Sequence, residues 1–196
     1  MAEYQNLRAF LIQDGTAYPR VTNLTDRRVE AKINRIIRET AAAAIPDYQP
    51  GTAIIEAQSG YTTPLNMKGI LSLRFQDYYY PEKAAHGVTK VGSVTVNLNS
   101  GEIYRFAALF RPGSNYRGRL NQLIQTQITE KRIPMLKPFA GVGPAESYYL
   151  TPDSLVIYYQ PYEYTPGYVG VLEFTVPFAQ IRENINPHGP IGRIHF

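Results

Sequence analysis

Ile70-Leu71-Ser72-Leu73-Arg74-Phe75-Gln76-Asp77 is the run whose reading decides the fold. Ile70, Ser72, Arg74 and Gln76 alternate with Leu71, Leu73, Phe75 and Asp77, a period of two that puts Leu71, Leu73 and Phe75 on one face of a strand. An antiparallel strand over 68–79, buried on one side, follows from it. Residues 52–58 upstream read as a second strand and Val88 to Leu98 as a third, with Val94 and Val96 in phase with Leu98. Asn99-Ser100-Gly101 carries hairpin-turn chemistry, and Glu102 to Phe106 is expected to return as a further strand.

Outward from this block the period changes to three and four. Val29, Ile33, Ile36, Ile37, Ala41 and Ala44 form one apolar stripe, with Thr25 or Asp26 as the cap and Pro46 as the stop. A second helix is expected from Ser114, with Tyr116, Leu120, Leu123, Ile124 and Ile128 as its stripe, ending before Pro134. Gly118 costs that helix about 1 kcal/mol relative to alanine, so packing must hold it. Leu7 to Ile12 reads as an opening strand closed by Asp14-Gly15. Ser147 to Leu150, Leu155 to Gln160 and Tyr168 to Pro177 read as closing strands, followed by a short helix over Phe178 to Ile185.

This order predicts an α+β fold, an antiparallel sheet or sheets with two main helices packed on one face. It is read as a single module over 1–196, with an N-terminal half at 4–87, a C-terminal half at 88–185 and a loose tail at 186–196. Ile33-Asn34-Arg35-Ile36-Ile37 and Leu120-Asn121-Gln122-Leu123-Ile124 echo each other in type. Amphipathic helices share such patterns without common descent.

The composition is that of an ordinary folded chain, with 44% apolar and 18% charged residues among 196. With no cysteine, disulfides, thiolate nucleophiles and Cys-ligated zinc are excluded. There are 16 Tyr and no Trp, an amphipathic aromatic load suited to half-buried strands and contact surfaces. The net charge of +4 is uneven: residues 103–140 hold seven basic side chains and one acid, a local +6. Such a stretch is either a solvated face or an attractor of anions. Met1 to Gln5 lacks the basic start and apolar core of an export signal, so a cytoplasmic protein and a mature exported one both remain open.

Several segments taken together resemble the family of the RsiV ectodomain and the accessory domain of the peptidoglycan deacetylase PdaC. Tyr78-Tyr79-Tyr80 followed by Ala85-His86-Gly87 resembles that family's tyrosine-rich strand and its Gly-Gly-Ala-His-Gly turn, with Lys83-Ala84 standing where the family has paired glycines. Val94 to Glu102 resembles the next strand and hairpin, and Leu109-Phe110 the segment before the second helix. Tyr149 to Tyr159, Pro161-Tyr162-Glu163, Pro166, Gly170 and Phe174 to Pro177 resemble the closing strands. The likeness runs from about Tyr18 to Ile181. It implies an extracytoplasmic, cell-envelope α+β module that binds lysozyme as a signal or accompanies a separate catalyst. A tether to the membrane would come from a segment absent from this chain.

The residues themselves offer little catalytic chemistry. His188 and His195 fall in the expected loose tail with no acid beside them in the sequence, and His86 sits in a turn, where it fixes backbone or meets a ligand. Asp153 lies in a Pro-Asp turn, a position that favours a bond to its own backbone. No metal-ligand spacing is present, Gly141-Val142-Gly143 lacks the Lys-Ser/Thr of a phosphate loop, and the aromatics lie away from the basic helix as nucleic-acid binding would not have them. No cofactor or nucleic acid is therefore expected. The suggestive surface is Pro161 to Tyr168, three tyrosines in seven residues stiffened by two prolines, which loses little entropy on binding. Its rings either cover the sheet end or meet a partner. The expectation is a non-enzymatic binding module for a lysozyme-like protein or a peptidoglycan-derived glycan, with Tyr162, Glu163, Tyr164 and Tyr168 as contact residues and His86 second. The alternatives are a wall-polymer hydrolase or deacetylase and a structural or regulatory domain without ligand chemistry.

Overall fold

A computed structural model describes residues 8–11, 17–45 and 52–195. The Asp14-Gly15 turn and the Pro46 stop lie outside them. The chain divides into two compact units, Met1–Glu102 and Ile103–Phe196. The fold is α+β with every ladder antiparallel.

In the first unit β1 (Arg8–Leu11) pairs with β2 (Ala17–Arg20). Helix α1 (Arg27–Ala43) follows, and then β3 (Ile54–Met67), β4 (Ile70–Pro81) and β5 (Val88–Asn97) form a meander in that order. Asp26 caps α1 by accepting from the Arg28 and Val29 amides at 2.7 and 3.2 Å. Ile33, Ile37 and Ala41 are fully buried and pack with Leu71, Leu73, Phe75, Val94 and Val96, the face that the alternation in β4 predicted. Gly92 lets α1 come close, because a Cβ there would meet Ala44 and the Thr40 carbonyl.

Asn34 fastens the approach to α1. Its Oδ1 accepts from the Val21 amide at 2.8 Å and its Nδ2 donates to the Val21 carbonyl at 2.9 Å. One side chain thus satisfies both backbone groups of a fully buried residue. Glu30 works nearby: burial would raise its carboxyl, but the Leu24 amide and the Arg27 guanidinium outweigh that and hold it below the ordinary range.

Strand β3 is far longer than the expected 52–58, and Lys68, expected to open β4, lies in the turn. Lys68 and Gly69 both have positive φ, the two-residue turn that matches strand twist. A register shift between Thr62 and Leu65 accommodates Pro64, which has no amide for the ladder. The expected strand over Glu102 to Phe106 does not form. The Glu102 carbonyl closes the turn onto the Asn97 amide, and Phe106–Leu109 is a 3-10 turn.

The second unit repeats the order helix then meander. Helix α2 (Tyr116–Glu130) is capped by Asn115 and precedes β6 (Tyr148–Leu150), β7 (Ser154–Tyr159) and β8 (Leu172–Pro177). All six residues of the central β7 are buried. Asn121 stands in the echo where Asn34 stands in α1, and its Oδ1 accepts from the amide of buried Val142 at 2.7 Å. The echoed asparagines share a task, although Val21 precedes its helix and Val142 follows it.

The expected loose tail is instead folded. Residues 178–184 are 3-10, and α3 (Pro190–His195) buries Pro190, Ile191, Gly192 and Ile194. Phe110 bridges Ile185, the Arg111 amide donates to the Asn184 carbonyl, and the Asn186 amide to that of Leu109. Arg193 reaches the Tyr104 hydroxyl at 2.7 Å. Pro and Gly read as irregularity, but here they let a close strap form. A Cβ at Gly189 would press on the Ala108 carbonyl.

Asn34→Ala should lower stability by about 2 kcal/mol, because it leaves two buried backbone groups of Val21 unsatisfied. Asn121→Ala, which loses one such bond, should cost about half as much. Urea unfolding of both variants beside the native chain measures this.

Candidate functional site

The segment between β7 and β8 is built from the backbone outward. The Glu163 amide donates to the Gln160 carbonyl at 3.1 Å, and its carboxylate accepts from the Gln160 amide at 3.0 Å. Tyr162 is held at φ +67°, a left-handed conformation uncommon for tyrosine, and its ring lies directly over Gly167, where a Cβ would not fit. The Val169 and Gly170 amides close onto Pro166 and Gly167.

The four tyrosine-loop residues divide. Tyr168 is 82% exposed and Tyr162 53%, with Glu163 exposed between them. Tyr164 was expected to face a partner, and the structure corrects this: at 8% exposure its ring belongs to the core. It stands edge-on to Tyr159 at 4.9 Å and packs on Phe139 at 5.6 Å, and Lys137 lies 4.8 Å above it. Its carbonyl accepts from the Leu136 amide. The physical reason lies in the sheet beneath: Tyr164 meets the rings of Tyr159 and Phe139, while its neighbours in the turn do not. Burial pushes the hydroxyl of neighbouring Tyr159 far above the ordinary phenol range, and the Glu146 carboxylate adds to this. The loop therefore rests on an anchored aromatic base.

His86 belongs to the first unit. It is exposed, with Nδ1 3.1 Å from the Gly87 carbonyl. Gly87 receives the Tyr78 ring where a side chain would otherwise stand, so the turn is shaped by that contact.

The sequence put no acid beside His195, but folding brings one there. Asp153, Arg182 and His195 line a hollow of about 380 Å³ with Phe178, Ala179 and Ile185. The polar groups are nevertheless committed to the fold. His195 Nε2 donates to the Pro152 carbonyl at 2.8 Å and its ring packs edge-on to Phe178. Asp153 accepts from the Thr151 and Ser154 hydroxyls at 2.9 and 3.0 Å, and these, with His195 adding, hold its carboxyl below the usual range. Ser154 gives its proton to a carboxylate and not to an imidazole, so the nucleophile–base contact of a hydrolytic triad is not made. Among the described residues no three His, Asp or Glu are grouped to hold a metal.

Five of the seven basic side chains of residues 103–140, Lys137 over Tyr164 among them, likewise have partners in the fold. Arg111 and Arg119 donate to the Ile185 and Gln180 carbonyls, Lys131 to Gln127, and Arg117 lies over the Tyr116 ring. A second hollow, about 310 Å³, lies on the β3–β4 hairpin around Gly60, Arg74, Gln76 and Tyr78. The expected strand 52–58 reached only its edge, at Gln58. Its one visible sign in the sequence was a glycine amid strand-forming residues.

Taken together, the antiparallel meanders and the two helices define an α+β module, and part of it matches a known family. Residues 107–179 match the family described as protein of unknown function DUF3298. The chain is 24% identical over 180 residues to the anti-sigma-V factor RsiV of Bacillus subtilis, a match covering 83% of this chain and 62% of RsiV. A DUF3298-family structure from Bacteroides fragilis superposes with a TM-score of 0.65 at 15% identity, covering 97% of this chain and 95% of that one. One from Pseudomonas aeruginosa gives 0.66 at 12%, covering 95% and 96%. The resemblance carried by the tyrosine-rich and closing-strand motifs is thus borne out. Among the described residues no helix is long and apolar enough to cross a membrane.

Asp153 should make stability pH-dependent. Its folded carboxyl lies below the unfolded value of about 3.9, so its contribution is present above that pH and is lost as pH falls through the folded value. Denaturant titrations from about pH 6 to about pH 2 should show the gap between the native chain and Asp153→Asn closing toward the acid end.

Proposed function

We propose that this chain is a non-catalytic, extracytoplasmic binding module that docks a lysozyme-like protein through Tyr162, Glu163 and Tyr168. The observation that carries the reading is Tyr168, 82% exposed beside a carboxylate on a loop whose backbone is already fixed. A large aromatic left in water on a preorganised loop is costly to the solvated chain and useful to a partner, because little ordering remains to be done on binding. Likeness to an anti-sigma factor supports a regulatory or binding role over a catalytic one. The lysozyme-like partner comes from the resemblance to RsiV-type modules. Such a partner is basic, so Glu163 and not the basic stretch supplies the complementary charge. The commitment of Asp153, Ser154 and His195 to structural bonds weighs against hydrolysis. His86, in the other unit, shapes its own turn and is left out of the docking surface.

Titration calorimetry with hen-type lysozyme should show binding. Tyr168→Ala and Glu163→Gln should each weaken it at least about tenfold, or about 1.4 kcal/mol. Tyr164→Phe, which keeps the ring in the core, should leave it unchanged. The absence of heat with the native chain would overturn the reading.

A further inference from the structure

Gly60 stands in the middle of β3, where glycine is a poor choice: it loses the most entropy and contributes no side chain to the sheet. None of the usual structural reasons applies to it. It is not among the positive-φ glycines. The pairs Ser59–Asp77, Gly60–Gln76 and Tyr61–Phe75 run without a break, so no bulge needs it. A Cβ there would meet nothing within 4 Å, so no neighbour in the chain demands its absence. The remaining role of a strand glycine is to leave room for something that approaches from outside.

What surrounds that room is polar and regularly spaced. Gln58 and Thr62 flank Gly60 on its strand, and Tyr78, Gln76 and Arg74 stand opposite them in register. Alternate residues lie about 6.5–7 Å apart along a strand and paired ones about 5 Å across it. The grid is therefore comparable with the spacing of groups on a short run of sugar rings. The Tyr78 ring is pinned over Gly87 and half-buried, so it offers a fixed flat surface. Gln58, Thr62 and Gln76 are exposed.

We propose that this hollow binds an acidic oligosaccharide. Gln58, Thr62 and Gln76 exchange hydrogen bonds with hydroxyl and amide groups, Tyr78 lies against a ring face, and Arg74 meets a carboxylate. Amide and hydroxyl side chains both donate and accept, which is the need of a sugar hydroxyl. An extended peptide fits less well. Lying on a sheet face and not along its edge, it would have no backbone ladder to join and no apolar pocket for an anchoring side chain. This site goes beyond the docking of a protein at Tyr162–Tyr168 and does not depend on it.

The probe is a tetrasaccharide alternating N-acetylglucosamine and N-acetylmuramic acid, titrated into the full chain and followed by amide chemical shifts. Chitotetraose and an extended uncharged peptide are the comparison ligands. The native chain should bind the acidic tetrasaccharide more tightly than chitotetraose. Gly60→Val should weaken it at least tenfold while the melting temperature holds or rises, since the space is open and valine favours strands. Arg74→Gln should remove the preference for the acidic sugar. Tyr168→Ala should bind it like the native chain, which separates this site from the protein-docking loop. Equal affinity of Gly60→Val and the native chain, no binding of either sugar, or tighter binding of the peptide would each overturn the proposal.

Discussion

The first unit depends on the two hydrogen bonds between the Asn34 amide group and the backbone of Val21. Val21 is fully buried, and neither β2 nor α1 provides a ladder partner there. A buried peptide group without partners costs more than most single contacts return. The asparagine side chain supplies the missing donor and acceptor at once, and in doing so sets how the chain leaves β2 and enters the helix. The position of Ile33 and Ile37 over Leu73 and Phe75 follows from that entry. Asn121 does part of the same work in the second unit, where it holds the loop after α2 against the helix.

Much of this fold was legible in the sequence because its signals were local and periodic. The stripe of α1 and the buried face of β4 each need only one element to be read. The cap was narrowed to Thr25 or Asp26, and Asp26 fills it. What escaped depended on distant partners or on exceptions to simple rules. The expected strand ended at residue 58, yet β3 runs past Gly60 and, with a register shift around Pro64, on to Met67. The prolines and glycines after Asn186 suggested irregularity, yet the chain there closes tightly: Asn184 and Asn186 bond to Arg111 and Leu109, and Gly189 lies close on the Ala108 carbonyl.

The candidate site was legible to a lesser degree. Composition singled out the loop from Pro161 to Tyr168, but nothing in it separates Tyr164, which turns into the ring cluster of Tyr159 and Phe139, from Tyr168, which does not. That division is made by the sheet beneath, hence by residues elsewhere in the chain. The meeting of His195 with the Pro152–Asp153 turn is of the same kind, since 43 residues separate them. The family likeness located the module as a whole, but a distant likeness does not say which of its tyrosines remain on the surface.

The strap that joins Arg111 to Ile185, 74 residues apart, also bears on how the molecule is made. Contacts of such long sequence separation close late, because the intervening chain must be gathered first. During synthesis the helix and meander of the second unit can emerge and begin to associate, but their seam stays open until the residues around Gly189 have left the ribosome. In that interval Phe106, Leu109 and Phe110 lack part of their cover, making this the stage at which a nascent chain is most open to misassembly.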